Sequence, residues 1–290
     1  MLRGDCQPTT EPPIFSAGSR FVGPFLAPAR ASMAFFKLYR HARQHGWRLT
    51  VKKLLKVLPG YIGKFYFWRF RRCKCCGRIT IFLSNGSAAE FRACLFCSAN
   101  ERYELLATEI TIRFGDNLRE KDVLELDPHS PLRKILSRAH SYTRSFYDAG
   151  KNDGYARADG ALCEDITALT FRDESFDLII SSDVIEHVLD LEKAFSETAR
   201  VLRPFGAHLF TVPPRPKTKK RSEVVDGEVR HLETPEYHRD PLCPAGILAV
   251  WDIGADLPEV ISCDRLDIRI ACGPVGDDGR LVWIAERRCP

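Results

Sequence analysis

No aspartate or glutamate occurs between Pro12 and Ala89, although arginine and lysine are frequent there. The net charge of +5 therefore hides a basic N-terminal part and a remainder that is acidic overall. No apolar run approaches the roughly 20 residues that a helical membrane span needs. The N-terminus has early charge but no apolar core of about 7–15 residues before a small-residue cleavage site, so no signal peptide is expected. Evenly spread cysteines are missing as well. Of eleven, an odd number, five fall between Cys73 and Cys97 in two close clusters. A secreted disulfide scaffold would distribute pairs through a shorter chain, so a reducing, cytoplasmic compartment with a metal site fits better. What remains is the composition of a globular protein, 44% hydrophobic and 28% charged, long enough for one ordinary domain and a smaller module.

Residues 1–32 are rich in Pro, Gly, Ser and Thr without sustained periodicity and read as a disordered leader, with Met33 a candidate start of translation. Residues 33–72 are basic and aromatic. Within them Val51, Leu54, Leu55 and Leu58 would share one face of an amphipathic helix, with Lys52, Lys53 and Lys56 largely on the other. Three readings of residues 34–72 stand side by side: packing on the main domain, peripheral contact with an anionic membrane, and binding to nucleic acid or an acidic partner. No nucleic-acid fold supports the last.

Residues 73–100 hold two C-x2-C knuckles, Cys73 with Cys76 and Cys94 with Cys97, separated by 17 residues that include an Asn85-Gly86 turn signal. Paired hairpins of this kind bring four thiolates to the corners of a tetrahedron, the arrangement of a structural Zn²⁺ site. Cys75 is the spare, able to replace Cys73 or Cys76. The module resembles a zinc ribbon, a closed site with no role in catalysis.

From Ser98 to Phe114 the pattern is helical, with Ser98 as N-cap. The remainder to 290 alternates strands and helices. Asp122–Leu126 reads as a first core strand, 131–139 as a helix behind Ser130, and Ser141–Tyr147 as a second strand. Phe176–Ile180 is a short buried strand, followed by a helix with Leu191, Ala194, Phe195, Ala199 and Leu202 on one face. Pro204 and Gly206 end that helix, and Leu209–Val212 forms the next strand. Leu266–Ala271 and Leu281–Arg287 complete the sheet as an antiparallel edge pair.

The order of Asp165-Ile166, Leu169-Thr170-Phe171, SFDLIISSDVIEHV, a helix and VLRPFGAHLFTVP resembles the core of a class I S-adenosylmethionine-dependent methyltransferase. The run from Arg230 to Leu257 resembles a subgroup common among glycan-modifying proteins. The resemblance covers roughly Asp122 to Glu286. It implies a Rossmann-like α/β fold, a mostly parallel seven-stranded sheet with helices on both faces, at residues 101–290 behind the ribbon. It also implies S-adenosylmethionine as cofactor. In the family the first strand ends in E-x-G-x-G-x-G. Here Glu125 is kept, but Asp127, His129 and Pro131 fill the glycine positions. A β-carbon in a turn built for positive φ costs about 1 kcal/mol or more. By the same resemblance Asp148 stands near the ribose position, its alternative being a solvated turn before Ala149-Gly150; Asp165 accepts the adenine amino group, its alternative being a helix cap before a polar turn; and the backbone of Ile166 meets the ring.

Ser182, Asp183, Glu186 and His187 follow the central strand, at the edge where open α/β sheets bind ligands. His187 is a candidate general base for a hydroxyl acceptor, since an imidazole titrates near neutrality. Its alternative is to shape the pocket. His231, Glu236, Tyr237, His238 and Asp240 form a second polar loop, suited to a sugar-like acceptor. There His238 would act as base, oriented by Asp240, or His231 and His238 would hold a metal. The residues thus point to O-methylation of a sugar, glycan or related small molecule. The alternative is a methyltransferase-like fold that has lost its cofactor and serves as a binding or scaffold module.

Overall fold

The computed structural model describes residues 69–84, 92–240, 243–261, 263–277 and 279–289. The leader, the candidate amphipathic helix and the Asn85-Gly86 turn lie outside the described residues. No helix among the described residues is long and apolar enough to cross a membrane.

The described residues start with a three-stranded antiparallel sheet, β1 (Arg69–Arg72), β2 (Ile79–Ser84) and β3 (Arg92–Cys94). Helix α1 (Glu101–Arg113) follows. Its N-cap is Asn100, and Ser98 instead sits two residues earlier at φ 61°. The principal sheet is built from β4 (Asp122–Glu125), β5 (Ser141–Phe146), β6 (Leu162–Cys163), β7 (Phe176–Ser182) and β8 (Leu202–Thr211), all parallel to their neighbours. Short α2 (Arg133–Leu136) lies between β4 and β5, and α3 (Leu191–Val201) joins β7 to β8. Asp190 caps α3 by accepting from the Lys193 N–H.

Residues 213–253 leave the sheet as an insertion. It contains β9 (Lys219–Lys220), the hairpins β10 (Ser222–Val225) with β11 (Glu228–His231) and β12 (Tyr237–Asp240) with β13 (Cys243–Leu248), and β14 (Trp251–Asp252) against β9. The basic run 217–221 is part of this structure: Lys219 and Lys220 pair with β14, and Arg221 makes a two-pronged contact with Asp252 at 3.1 and 3.0 Å. After α4 (Leu257–Val260), β15 (Leu266–Ile270) and β16 (Trp283–Arg287) return antiparallel. The sheet order is β15-β16-β8-β7-β4-β5-β6. This is the expected Rossmann-like class I methyltransferase fold.

Alternation along each strand divides the core in two. Val123, Leu178, Ile180 and Leu209 face one layer with α1, while Leu124, Ile179 and Phe210 face the other with α3. Cys73, Cys76, Phe82 and Cys94 of the small sheet join the first of these cores, so the ribbon-like module and α1 share one apolar interior.

Two elements differ from expectation. Residues 131–139 form only the four-residue α2, although the Ser130 hydroxyl does accept from the Leu132 N–H at 3.0 Å. Pro204 and Gly206 do not separate helix from strand but lie inside β8. The ladder to β7 is interrupted there, running from Phe176↔Leu202 to Leu178↔Ala207, so the missing N–H of Pro204 leaves no bond unmade. Gly206 is needed because a β-carbon would stand 2.9 Å from the Arg203 carbonyl and 3.1 Å from that of Asp177.

Candidate active site

A cavity of about 520 Å³ opens at the carboxyl ends of β4, β5 and β7. Its size falls in the range of about 300–1,000 Å³ usual for small-molecule sites. Asp127, Asp165, Ile166, Ser182, Asp183, His187 and His238 all line it. Cys97 and Ser98 also reach its wall, so the second cysteine knuckle borders the site directly.

The loop after β4 replaces glycine with a different conformation. Among the described residues with positive φ, Asp127, His129 and Pro131 do not appear, so the penalty for a β-carbon in a left-handed turn does not arise. Asp127 Oδ1 accepts from the His129 N–H at 2.8 Å, and Oδ2 accepts from the Tyr103 hydroxyl at 2.6 Å. Arg144 on β5 donates to the Pro128 carbonyl at 3.2 Å and holds the loop from the other side.

Glu125 lies beneath this loop and does not line the cavity. It is buried and accepts from the Tyr142 hydroxyl. Burial pushes its carboxyl up from 4.5 to about 8. The folded state therefore holds a proton that the unfolded chain gives up near pH 4.5. Stability from this group is full below that value and falls as pH rises toward about 8, by on the order of 1 kcal/mol per pH unit. Glu125→Gln should flatten the decline, and denaturant melts at pH 5, 7 and 9 will check it. Parallel curves for the two proteins would contradict this assignment.

Asp148 is not at the cavity wall. Phe146 and Tyr147 occupy that place, while Asp148 Oδ1 accepts from the Gly150 N–H at 3.0 Å in a local turn. Asp165 is at the wall and also shapes its own turn, its Oδ1 accepting from the Thr167 N–H and hydroxyl, both at 2.8 Å. Ser182 pairs with the Thr211 hydroxyl at 3.2 Å. Asp183, at φ 54°, takes Arg102 on Oδ2 and Arg280 on Oδ1, each at 2.5 Å, and so fastens α1 to the strand end.

The insertion folds over the end of β7. Glu186 and His187 sit in a single 3₁₀ turn, Ile185–His187, and the Val250 N–H donates to the Glu186 carbonyl at 2.8 Å. This brings His238 of β12 against His187, with ring centroids 4.8 Å apart. Glu236 orients His238, with His238 Nε2 3.2 Å from Glu236 Oε1. The Asp240 side chain lies outside the described residues. His231 is held elsewhere, its Nδ1 2.9 Å from the Ser222 hydroxyl in the β10–β11 hairpin. Burial favours neutral His238, but Glu186 and Glu236 outweigh it and raise its pKa. Glu186 in turn is held below the usual carboxylate range by His187 and His238, against the opposing effect of burial.

At the ribbon end, one sulfur from each of Cys73, Cys76, Cys94 and Cys97 lies within 4.8 Å of the other three. Cys73 and Cys97 are 3.6 Å apart, and Cys76 and Cys94 are 3.8 Å apart. Tetrahedral zinc with bonds of about 2.3 Å would set its sulfurs about 3.8 Å apart, so the four fit that ion. Cys75 stands outside the set and donates to the Tyr103 carbonyl at 3.4 Å.

Residues 119–210 match the model of a family described as a methyltransferase domain. The matched segment carries β4 to β7, all but the last residue of β8, and all cavity residues named above except Cys97, Ser98 and His238. The chain is 26% identical over 130 residues to an uncharacterized protein of Methanocaldococcus jannaschii, covering 44% of this chain and 57% of that protein. It therefore spans little more than half the length of that relative. Among solved structures, a protein from Pyrococcus horikoshii is 16% identical, with 64% of this chain and 89% of that one covered and a TM-score of 0.41. An S-adenosylmethionine-dependent methyltransferase from Mesorhizobium loti is 14% identical, with 64% and 99% covered and a TM-score of 0.41.

Sequence reading did not identify Arg102, Tyr103 and Arg280, which reach across from outside the methyltransferase-domain segment to hold Asp127 and Asp183. A helix start and a late turn carry no motif that would reveal them.

Proposed function

We propose that this protein is an S-adenosylmethionine-dependent methyltransferase acting on a hydroxyl of a sugar, glycan or related small molecule. One observation carries the reading. A single cavity at the carboxyl edge of the parallel sheet collects the adenine-side candidates Asp165 and Ile166, the loop at Asp127, and the histidine pair His187 and His238, behind which Glu186 is buried. When bound, S-adenosylmethionine supplies an electrophilic methyl group for in-line displacement. The chain's residues then have to orient the acceptor and deal with its proton. Asp165 and the Ile166 backbone would hold the adenine, and Ser182 the edge of the strand. The acceptor oxygen would sit at His187 and His238, giving up its proton at that cluster as it takes the methyl. Cys73, Cys76, Cys94 and Cys97 would hold a structural Zn²⁺ that bounds the cavity without entering the chemistry.

The test is transfer of labelled methyl to a panel of small acceptors. Hydroxyl-bearing sugars should be labelled, with His187→Gln lowering kcat by about 100-fold or more. Labelling of amines or carboxylates alone would remove the acceptor assignment. A second reading, a binding module without catalysis, is favoured by the loop at Asp127, whose carboxylate is already engaged by Tyr103 and His129.

A further inference from the structure

Glu186, His187 and His238 direct three electron-pair donors at one another. His187 Nδ1 lies 2.8 Å from the Leu248 carbonyl oxygen, which can only accept, so Nδ1 carries the proton and Nε2 the lone pair. His238 Nε2 lies 3.2 Å from Glu236 Oε1, a carboxylate also paired with Arg215 at 2.5 Å. The His238 proton therefore sits on Nε2, and its lone pair is on Nδ1. These two lone-pair nitrogens are 3.2 Å apart. Glu186 Oε1 stands 3.4 Å from His238 Nδ1 and 3.7 Å from His187 Nε2. Glu186 is 2% exposed, and neither of its side-chain oxygens has a hydrogen-bond partner among the described residues.

Such a set repels itself unless a cation sits within it. A proton on His238 Nδ1 would be split between His187 Nε2 at 3.2 Å and Glu186 Oε1 at 3.4 Å and leave Glu186 Oε2 without a donor, a weak arrangement for a buried carboxylate. A metal ion serves all three. Tetrahedral bonds of about 2.0–2.1 Å place donors about 3.3–3.4 Å apart, close to the three separations here. Two imidazoles and one carboxylate on one side, with further positions open, suit a divalent first-row transition ion. Each imidazole also has its outer nitrogen fixed, one by a carbonyl and one by a carboxylate, as metal-binding histidines usually do.

We propose that Glu186 Oε1, His187 Nε2 and His238 Nδ1 bind one divalent first-row transition ion, distinct from the four-cysteine cluster, with its open positions toward the cavity. His187 and His238 both line that cavity, so an acceptor oxygen can reach the ion. The ion would hold that oxygen and, as a Lewis acid, make its hydroxyl easier to ionise; with both imidazole lone pairs on the ion, the proton leaves to solvent through the cavity. This deepens the methyl-transfer reading of the same site and rests on it.

The experiment uses the full chain carrying one equivalent of zinc, which the four thiolates take first, titrated with Mn²⁺ and followed by loss of the free-ion electron paramagnetic resonance signal. Mn²⁺ prefers nitrogen and oxygen donors to thiolates, so it reports this site and not the ribbon. One Mn²⁺ per chain is expected. His238→Ala and Glu186→Gln should each weaken it by more than about 100-fold, and Glu236→Gln by about 10–100-fold. His238 and Glu236 are partly exposed, so variants at those positions should keep the wild-type zinc content and melting curve. A wild-type protein that binds no Mn²⁺ at millimolar concentration, or a folded His238→Ala variant that binds as tightly as wild type, overturns the proposal. Cofactor titration on the same samples separates the two readings. Cofactor binding without the ion removes the ion site alone, whereas ion binding without cofactor supports the ion site and removes methyl transfer.

Discussion

Replacing Cys94 with serine should empty the four-cysteine site and, with it, weaken cofactor binding by about 10-fold or more. The expectation follows from how the second knuckle leads into the cavity. The Ser98 N–H donates to the Cys94 carbonyl at 2.8 Å, and the Cys94 N–H to the Ala99 carbonyl at 2.8 Å, so the knuckle fixes the entry to α1. Cys97 and Ser98 form part of the wall, and α1 then supplies Arg102 to Asp183 and Tyr103 to Asp127. Three further ties reinforce the junction: the Lys74 N–H to Glu104 Oε1 at 2.9 Å, Arg71 to the same carboxylate group, and Lys134 Nζ to the Cys76 carbonyl at 2.6 Å. Structural zinc contributes on the order of 10 kcal/mol to the folding of small modules, so its loss should loosen residues 94–103. Metal content and calorimetry on the same preparation check this. Metal lost with affinity unchanged would mean that the module folds independently of the site. Cys75→Ser, outside the ligand set, should keep its metal.

Asp165→Ala should weaken S-adenosylmethionine binding by about 10–100-fold, the range expected when a charged group loses a hydrogen-bond partner. Asp165 also has a turn of its own to hold. Because Asp165 also accepts from Thr167 twice, alanine should reduce stability by about 1 kcal/mol through the turn itself. Asp165→Asn separates the two effects. Its amide oxygen can keep the Thr167 bonds, while its NH2 group would face the adenine amine donor to donor. Near wild-type stability with weak binding is the expected result for asparagine. Wild-type affinity in both variants would leave Asp165 with a turn-forming role only.

The sheet was legible because buried parallel strands are short apolar runs, as Phe176–Ile180 and Leu209–Val212 are. The length of β8 was not. A proline and a glycine normally end an element, and only the broken ladder opposite Asp177 lets Pro204 and Gly206 continue one. The cysteine set was legible from spacing, and Cys73, Cys76, Cys94 and Cys97 are the four that come together, while the Cys75 thiol turns to the Tyr103 carbonyl. Asp165, Ile166, Ser182, Asp183, His187 and His238 do share one cavity. Their partners were hidden because side-chain pairing across 51 residues, as between His187 and His238, leaves no local pattern. The same holds for Tyr103, which replaces a glycine-rich turn's backbone freedom with a hydroxyl gripping Asp127.

The most direct measurement is calorimetric titration of the folded, zinc-loaded protein with S-adenosylmethionine and S-adenosylhomocysteine. Methyl transfer at this cavity predicts micromolar binding of both, one per chain, despite the absence of glycine from residues 126–131. No heat of binding with either ligand at millimolar concentration would contradict it and leave the fold as a non-enzymatic module.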